Sequence, residues 1–109
     1  PIMHTMIMRE DFHRAHPWAA EALFKALSES KKWALEQMRF SGAQRYMLPW
    51  MFADIDEMDE LFDGDPCPYG VEPNRKTLET ALEYLVDQGF IEKAMDVDDL
   101  FTPIVGWTE

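Results

Sequence analysis

The chain has 109 residues, 47% of them hydrophobic and including four Trp and seven Phe, so it holds the material for a packed core and lies outside the disordered class. A net charge of −11 repels phosphate backbones and anionic membrane surfaces, and the ten Lys and Arg residues are scattered, which argues against nucleic-acid binding. No apolar run approaches the roughly 18 residues that span a bilayer, so a soluble segment without membrane insertion is expected.

The opening Pro1-Ile2-Met3 has no methionine at its first position, which fits an expression product, a processed product or a fragment alike; residues 1–109 read as a single C-terminal segment of a larger protein. Residues 2–8 alternate as a β-strand, with Ile2, His4, Met6 and Met8 on one face and Met3, Thr5 and Ile7 on the other. Both faces are largely apolar, as in a buried strand, yet the only other strand candidate is the short stretch 104–107 beyond Pro103. The remaining neighbours of that strand are therefore expected from outside this segment. His4 stands out within it, because an imidazole in an apolar strand either finds a hydrogen-bond partner or faces a cleft.

A single helical turn is predicted over 10–14, followed by a long helix launched at His16-Pro17-Trp18, where Pro at the start has no N–H to leave unpaired. Ala19, Leu23, Ala26, Leu27, Ser30, Trp33, Ala34 and Met38 form its expected inward stripe, while Glu21, Lys25, Glu29 and Lys32 fall largely on the other side. It ends near Phe40, before Ser41-Gly42. Glu10, His13 and His16 sit three residues apart, but a carboxylate–histidine metal site in a bundle needs a second such motif, so these read as surface or capping groups.

The second helix starts at Leu48-Pro49-Trp50 and turns Met51, Phe52, Ile55, Met58 and Phe62 inward. Seven carboxylates and no base lie between Asp54 and Asp65; the order of a calcium-binding loop is absent, and a solvated face running into an acidic turn is the reading. Turn residues at nearly every step from Asp63 to Gly70 break the helix. Cys67 in that loop has no second Cys for a disulfide or a zinc cluster, and Tyr69, between Pro68 and Gly70, either packs the loop or lines a cleft. The third helix begins at Glu72-Pro73-Asn74 and runs through Leu78, Ala81, Leu82, Leu85 and Val86 to a left-handed cap at Gly89. A last short helix over 97–101 follows Asp96. The fold class on these grounds is mainly α, with three main helices, short helical turns and an N-terminal β-strand.

Four separated motifs, Pro1-Ile2-Met3-His4-Thr5, His16-Pro17-Trp18, Leu48-Pro49-Trp50 and the run from Pro68 to Glu79, together resemble the C-terminal portion of the 4,5-dihydroxyphthalate decarboxylase family and of related proteins described as ABC-transporter substrate-binding proteins. The resemblance extends from Pro1 to about Thr102. It implies an α/β two-lobed fold of the type II periplasmic-binding-protein kind, with the opening strand near the crossover between lobes. It also implies a small aromatic or carboxylated ligand, bound in the full-length protein. As an enzyme such a protein would be cytoplasmic, and as a solute-binding protein periplasmic; the cofactor is left unassigned. For a decarboxylation in that cleft, His4 is placed to protonate the ring carbon, with Thr5, Arg9, Tyr69 and Arg75 as substrate-binding residues and an arginine holding the retained carboxylate. The alternative is a non-catalytic binder of the same ligand class, the isolated segment being inactive and self-associating into a homo-oligomer through its strand or helix faces.

Overall fold

A computed structural model describes residues 4–40 and 48–104, and every regular element among them is helical. In chain order these are α1 (Glu10–Ala15), α2 (Trp18–Arg39), α3 (Met51–Phe62), a 3₁₀ turn (Glu72–Asn74), α4 (Arg75–Asp87) and α5 (Val97–Leu100).

The termini of these helices follow from local chemistry. Glu10 and Asp11 lie in the first turn of α1 and His13 and Arg14 in its last, each sign at the helix end whose dipole favours it. Arg14 also pairs with Glu10 one turn back. Pro17 sits at the N-cap of α2, whose 22 residues are rich in Ala, Leu, Glu and Lys, all strong helix formers. Asp63 ends α3 in the left-handed conformation at φ 53°, and Gly64 follows at 84°, so the chain reverses sharply there. Past the end of α4, Gly89 at φ 73° lets the Phe90 N–H reach back to Leu85 O at 2.9 Å, which satisfies a carbonyl of the last turn. The Asp96 carboxylate accepts from the Asp98 N–H at 2.9 Å and so starts α5.

The expected N-terminal strand is not formed. Ile2 and Met3 lie outside the described residues; residues 4–9 are irregular, with His4, Thr5, Met6 and Ile7 exposed and Ile7 at 88%. The physical reason is the one the sequence raised: a strand needs a ladder partner, and no other strand occurs among the described residues. Of the second strand candidate, only Ile104 is described, and it is irregular. The α/β two-lobed architecture of the periplasmic-binding-protein kind is likewise corrected, because it requires sheets and the described residues contain none.

Burial is sparse. Among the described residues, Met51 and Ile55 of α3, Leu82 of α4 and Val97 of α5 are the buried hydrophobic side chains, and Ser28 of α2 the buried polar one. α1 contacts α2, while α4 contacts both the 3₁₀ turn and α5. The radius of gyration is 17.5 Å, against roughly 13 Å for a compact domain of this length. The accessible surface of 9119 Å² exceeds that of a compact chain of this mass by roughly 2,800 Å².

The inward face of α2 also departs in part from its apolar stripe. Its covered side runs through Ala20, Phe24, Ser28, Lys31, Leu35 and Arg39, and of the expected apolar stripe only Ala19, Ala34 and Met38 are half-buried. Leu23 and Leu27 are each 37% exposed, Trp33 is 55% exposed, and Ala22, Ala26 and Ser30 also face solvent. The reason lies in the two cations on the covered side, which carry the acidic turn after α3 onto α2.

Candidate functional site

The best-built polar constellation is the loop 63–75 clasped to α2. Lys31, whose side chain is only 14% exposed, donates to Asp65 Oδ2 at 2.6 Å and lies 3.5 Å from the Cys67 carbonyl. Its ammonium stands 4.3 Å from the centroid of the Tyr69 ring, within cation–π range. Two turns further along α2, Arg39 pairs with Asp59 and donates to Gly64 O at 2.9 Å, so it holds both the last turn of α3 and the reversal after it. The hydrogen bond that Arg39 donates to Asp59 raises the pKa of Arg39, keeping the guanidinium charged.

Within the loop, Asp65 Oδ1 accepts from the Cys67 N–H at 3.0 Å, a local turn of the kind Asp favours before proline-rich stretches. Asn74 donates its amide to Pro68 O at 2.7 Å and to Gly70 O at 2.9 Å, tying the loop to the start of α4. Gly70 sits at φ 102°, a conformation that L side chains rarely adopt, which explains why glycine follows Tyr69. Arg75 bridges Glu72 Oε1 at 2.5 Å and Asp98 Oδ1 at 2.7 Å, joining the 3₁₀ turn to α5. Its pKa is raised, first by Glu72 and then by Asp98, and the same hydrogen bond from Arg75 holds Glu72 below the usual carboxylate range.

A second place of interest is a shallow, open groove of about 540 Å³ lined by Ile7, Met8, Arg9, Asp11, Phe12, Ala15 and His16. Arg9 donates to Asp11 through both Nε, at 3.0 Å, and Nη2, so the forked face of the guanidinium is already occupied by a carboxylate. That hydrogen bond lowers the pKa of Asp11 and raises that of Arg9. The Phe12 and His16 rings lie 4.9 Å apart beside it.

The residues singled out from the sequence therefore fall in two places. His4 and Thr5 are exposed on the irregular segment just before Arg9, which lines the groove; Tyr69 and Arg75 belong to the clasped loop. Among the described residues, no hydrogen bond or ion pair joins the two groups, and no cluster of His, Cys, Asp and Glu is arranged to hold a metal ion. No described helix is long and apolar enough to cross a membrane. Sequence reasoning missed Lys31, Arg39 and Asn74. The signal that pointed to the first two was the base-free acidic run itself, since carboxylates drawn out of water need cations from elsewhere in the chain.

No protein-family model matches the chain, and no solved structure matches it. It is 29% identical over 103 residues to a curated protein named 4,5-dihydroxyphthalate decarboxylase from Comamonas testosteroni. That alignment covers 94% of this chain but 31% of the relative, so the chain spans about a third of the relative's length. The two proteins are distantly related.

Proposed function

We propose that this chain is the part of a decarboxylase-like protein that helps bind a hydroxylated aromatic dicarboxylate, the reaction itself belonging to the whole protein. The observation that carries the reading is the alignment of 94% of the chain with the relative named 4,5-dihydroxyphthalate decarboxylase. The shallowness of the groove supports assigning the chemistry to a larger assembly, since ligand sites ordinarily enclose most of a small molecule.

The chemistry asks for an acid and for fixed cations. A hydroxyl para to the departing carboxylate pushes electrons into the ring, an acid protonates the ring carbon, and the carbon–carbon bond then breaks to release CO₂ and restore aromaticity. His4 is assigned the proton, while Thr5, Arg9, Tyr69 and Arg75 are assigned to substrate binding. Of the two arginines Arg9 is the better placed to take a retained carboxylate, because its side chain is 82% exposed while Arg75 at 29% already bridges two carboxylates.

The test is turnover. The complete gene product incubated with 4,5-dihydroxyphthalate is expected to release CO₂ and form protocatechuate, whereas ligand binding without conversion across pH and added metals would assign it instead to non-catalytic solute binding.

A further inference from the structure

We infer that His16 is a specificity-determining residue of the groove on α1, where its imidazole reads a ring hydroxyl para to the carboxylate held by Arg9; this rests on the aromatic-acid binding proposed above. Arg9, Phe12 and His16 follow one another at spacings of three and four, so they share one face of α1 and its two caps. All three line the same groove. From the first to the last the helix rises about 10 Å, comparable to a benzene ring with a carboxylate at one end, a hydroxyl at the other and a hydrogen bond beyond each.

The order of chemistry along that face matches such a molecule. Arg9 puts a cation at one end. Phe12, 46% exposed, offers an aromatic surface in the middle on which a ring can stack, and Ile7 and Met8 add apolar lining. His16 closes the far end with an imidazole, which accepts from a phenolic hydroxyl or donates to it.

That imidazole is held from several directions. Its ring lies 4.9 Å from that of Phe12, tilted by 52°, and 6.2 Å from that of Trp18 in an edge-on arrangement. The His16 N–H donates to the Phe12 carbonyl at 2.9 Å, its own carbonyl accepts from the Ala19 N–H at 3.0 Å, and Pro17 restricts the backbone of the residue before it. His16 is thus fixed at the junction of α1 and α2 yet exposed to an incoming ligand. A fixed hydrogen-bonding group tells a hydroxyl from a hydrogen and one ring position from the next. In 4,5-dihydroxyphthalate each carboxylate has a hydroxyl para to it, so the contact serves the carboxylate that is retained.

Calorimetry on the complete gene product tests this with benzoate, 3-hydroxybenzoate and 4-hydroxybenzoate, which differ only in having no hydroxyl, a meta one or a para one. The wild-type protein is expected to bind 4-hydroxybenzoate about three- to ten-fold more tightly than the other two. His16→Phe keeps an aromatic ring beside Phe12 and removes the hydrogen bond, so the para preference is expected to disappear. His16→Gln, whose amide still offers a donor and an acceptor, is expected to keep part of it. Phe12→Leu is expected to weaken all three ligands by a similar factor. Equal binding of the three by the wild-type protein, or a His16→Phe variant that weakens all three alike and keeps the para preference, would overturn the role of His16 and leave the binding of aromatic acids standing. A wild-type protein that binds none of the three would overturn both.

Discussion

The ammonium of Lys31 lies over the ring of Tyr69, 4.3 Å from its centroid, while the same group donates a 2.6 Å hydrogen bond to Asp65. One cation thus fixes two side chains of a loop more than thirty residues away, and the shared donor makes the two contacts interdependent. Lys31→Met is expected to cost about 1–2 kcal/mol in urea unfolding, because it removes both and leaves half-buried Asp65 with only the charge of Arg39 nearby. Tyr69→Leu alone is expected to cost about 0.5–1 kcal/mol. In a double-mutant cycle the two losses should sum to more than the double variant shows, and simple additivity would mean that the ring and the ammonium do not interact.

The amide of Asn74 is another tie on that loop, donating to the Pro68 and Gly70 carbonyls on either side of Tyr69. Asn74→Ala is expected to lower stability by about 1–2 kcal/mol and to speed proteolytic cleavage within 66–71. Unchanged cleavage would show that Lys31 and Arg39 hold the loop unaided.

Acid should loosen the junction at the start of α4. The hydrogen bond from Arg75 depresses the Glu72 pKa from its ordinary 4.5. A carboxylate whose folded pKa is lowered contributes stability that is full above its unfolded value and disappears as pH falls through the folded one. Protection of the amides around residues 72–78, measured against unstructured amides at the same pH, is therefore expected to fall below about pH 4.5 in the wild-type chain. The Arg75→Gln variant should be less protected already at neutral pH and show little further acid dependence there.

Burial without a partner makes a separate prediction at Ser28. Its hydroxyl is enclosed in α2 with no hydrogen-bond partner, and Ala is the better helix former. Ser28→Ala is expected to raise the thermal midpoint, by the equivalent of about 1 kcal/mol; a lower midpoint would mean that the hydroxyl is satisfied in solution.

For function, Asp11 occupies the guanidinium face that a ligand carboxylate would use on Arg9. In the complete gene product Asp11→Asn is expected to tighten binding of phthalate three- to ten-fold by calorimetry, and Arg9→Gln to weaken it by at least as much. His4→Gln is expected to cut turnover about a hundred-fold or more while leaving that binding intact. Equal affinities in the two Arg9–Asp11 variants would remove Arg9 from the site, and full turnover in His4→Gln would remove His4.

The helices were legible because their punctuation is local. Pro17, Pro49 and Pro73 mark where α2, α3 and the turn before α4 begin, and Gly89 marks a chain reversal that only the residues beside it decide. The strand over 2–8 was misread because alternation records a capacity for pairing, whereas the ladder depends on a neighbour elsewhere. The inward side of α2 was only partly legible for a related reason: Ala19, Ala34 and Met38 are half-buried as expected, but periodicity shows which face is apolar, not which one is covered. Lys31 and Arg39 escaped notice since each meets carboxylates twenty or more residues away, a separation no local pattern encodes. For the candidate site, the sequence singled out Arg9, Tyr69 and Arg75 as chemical groups, but their present carboxylate and ammonium partners depend on tertiary placement.

Trp18, Trp33 and Trp50 all stand more than half in solvent. The indoles are thus a built-in optical gauge: their emission should be red and easily quenched by iodide or acrylamide in the lone chain. A blue shift on raising concentration, or on adding any other molecule, will register which surface has gone dark to water without a label being attached.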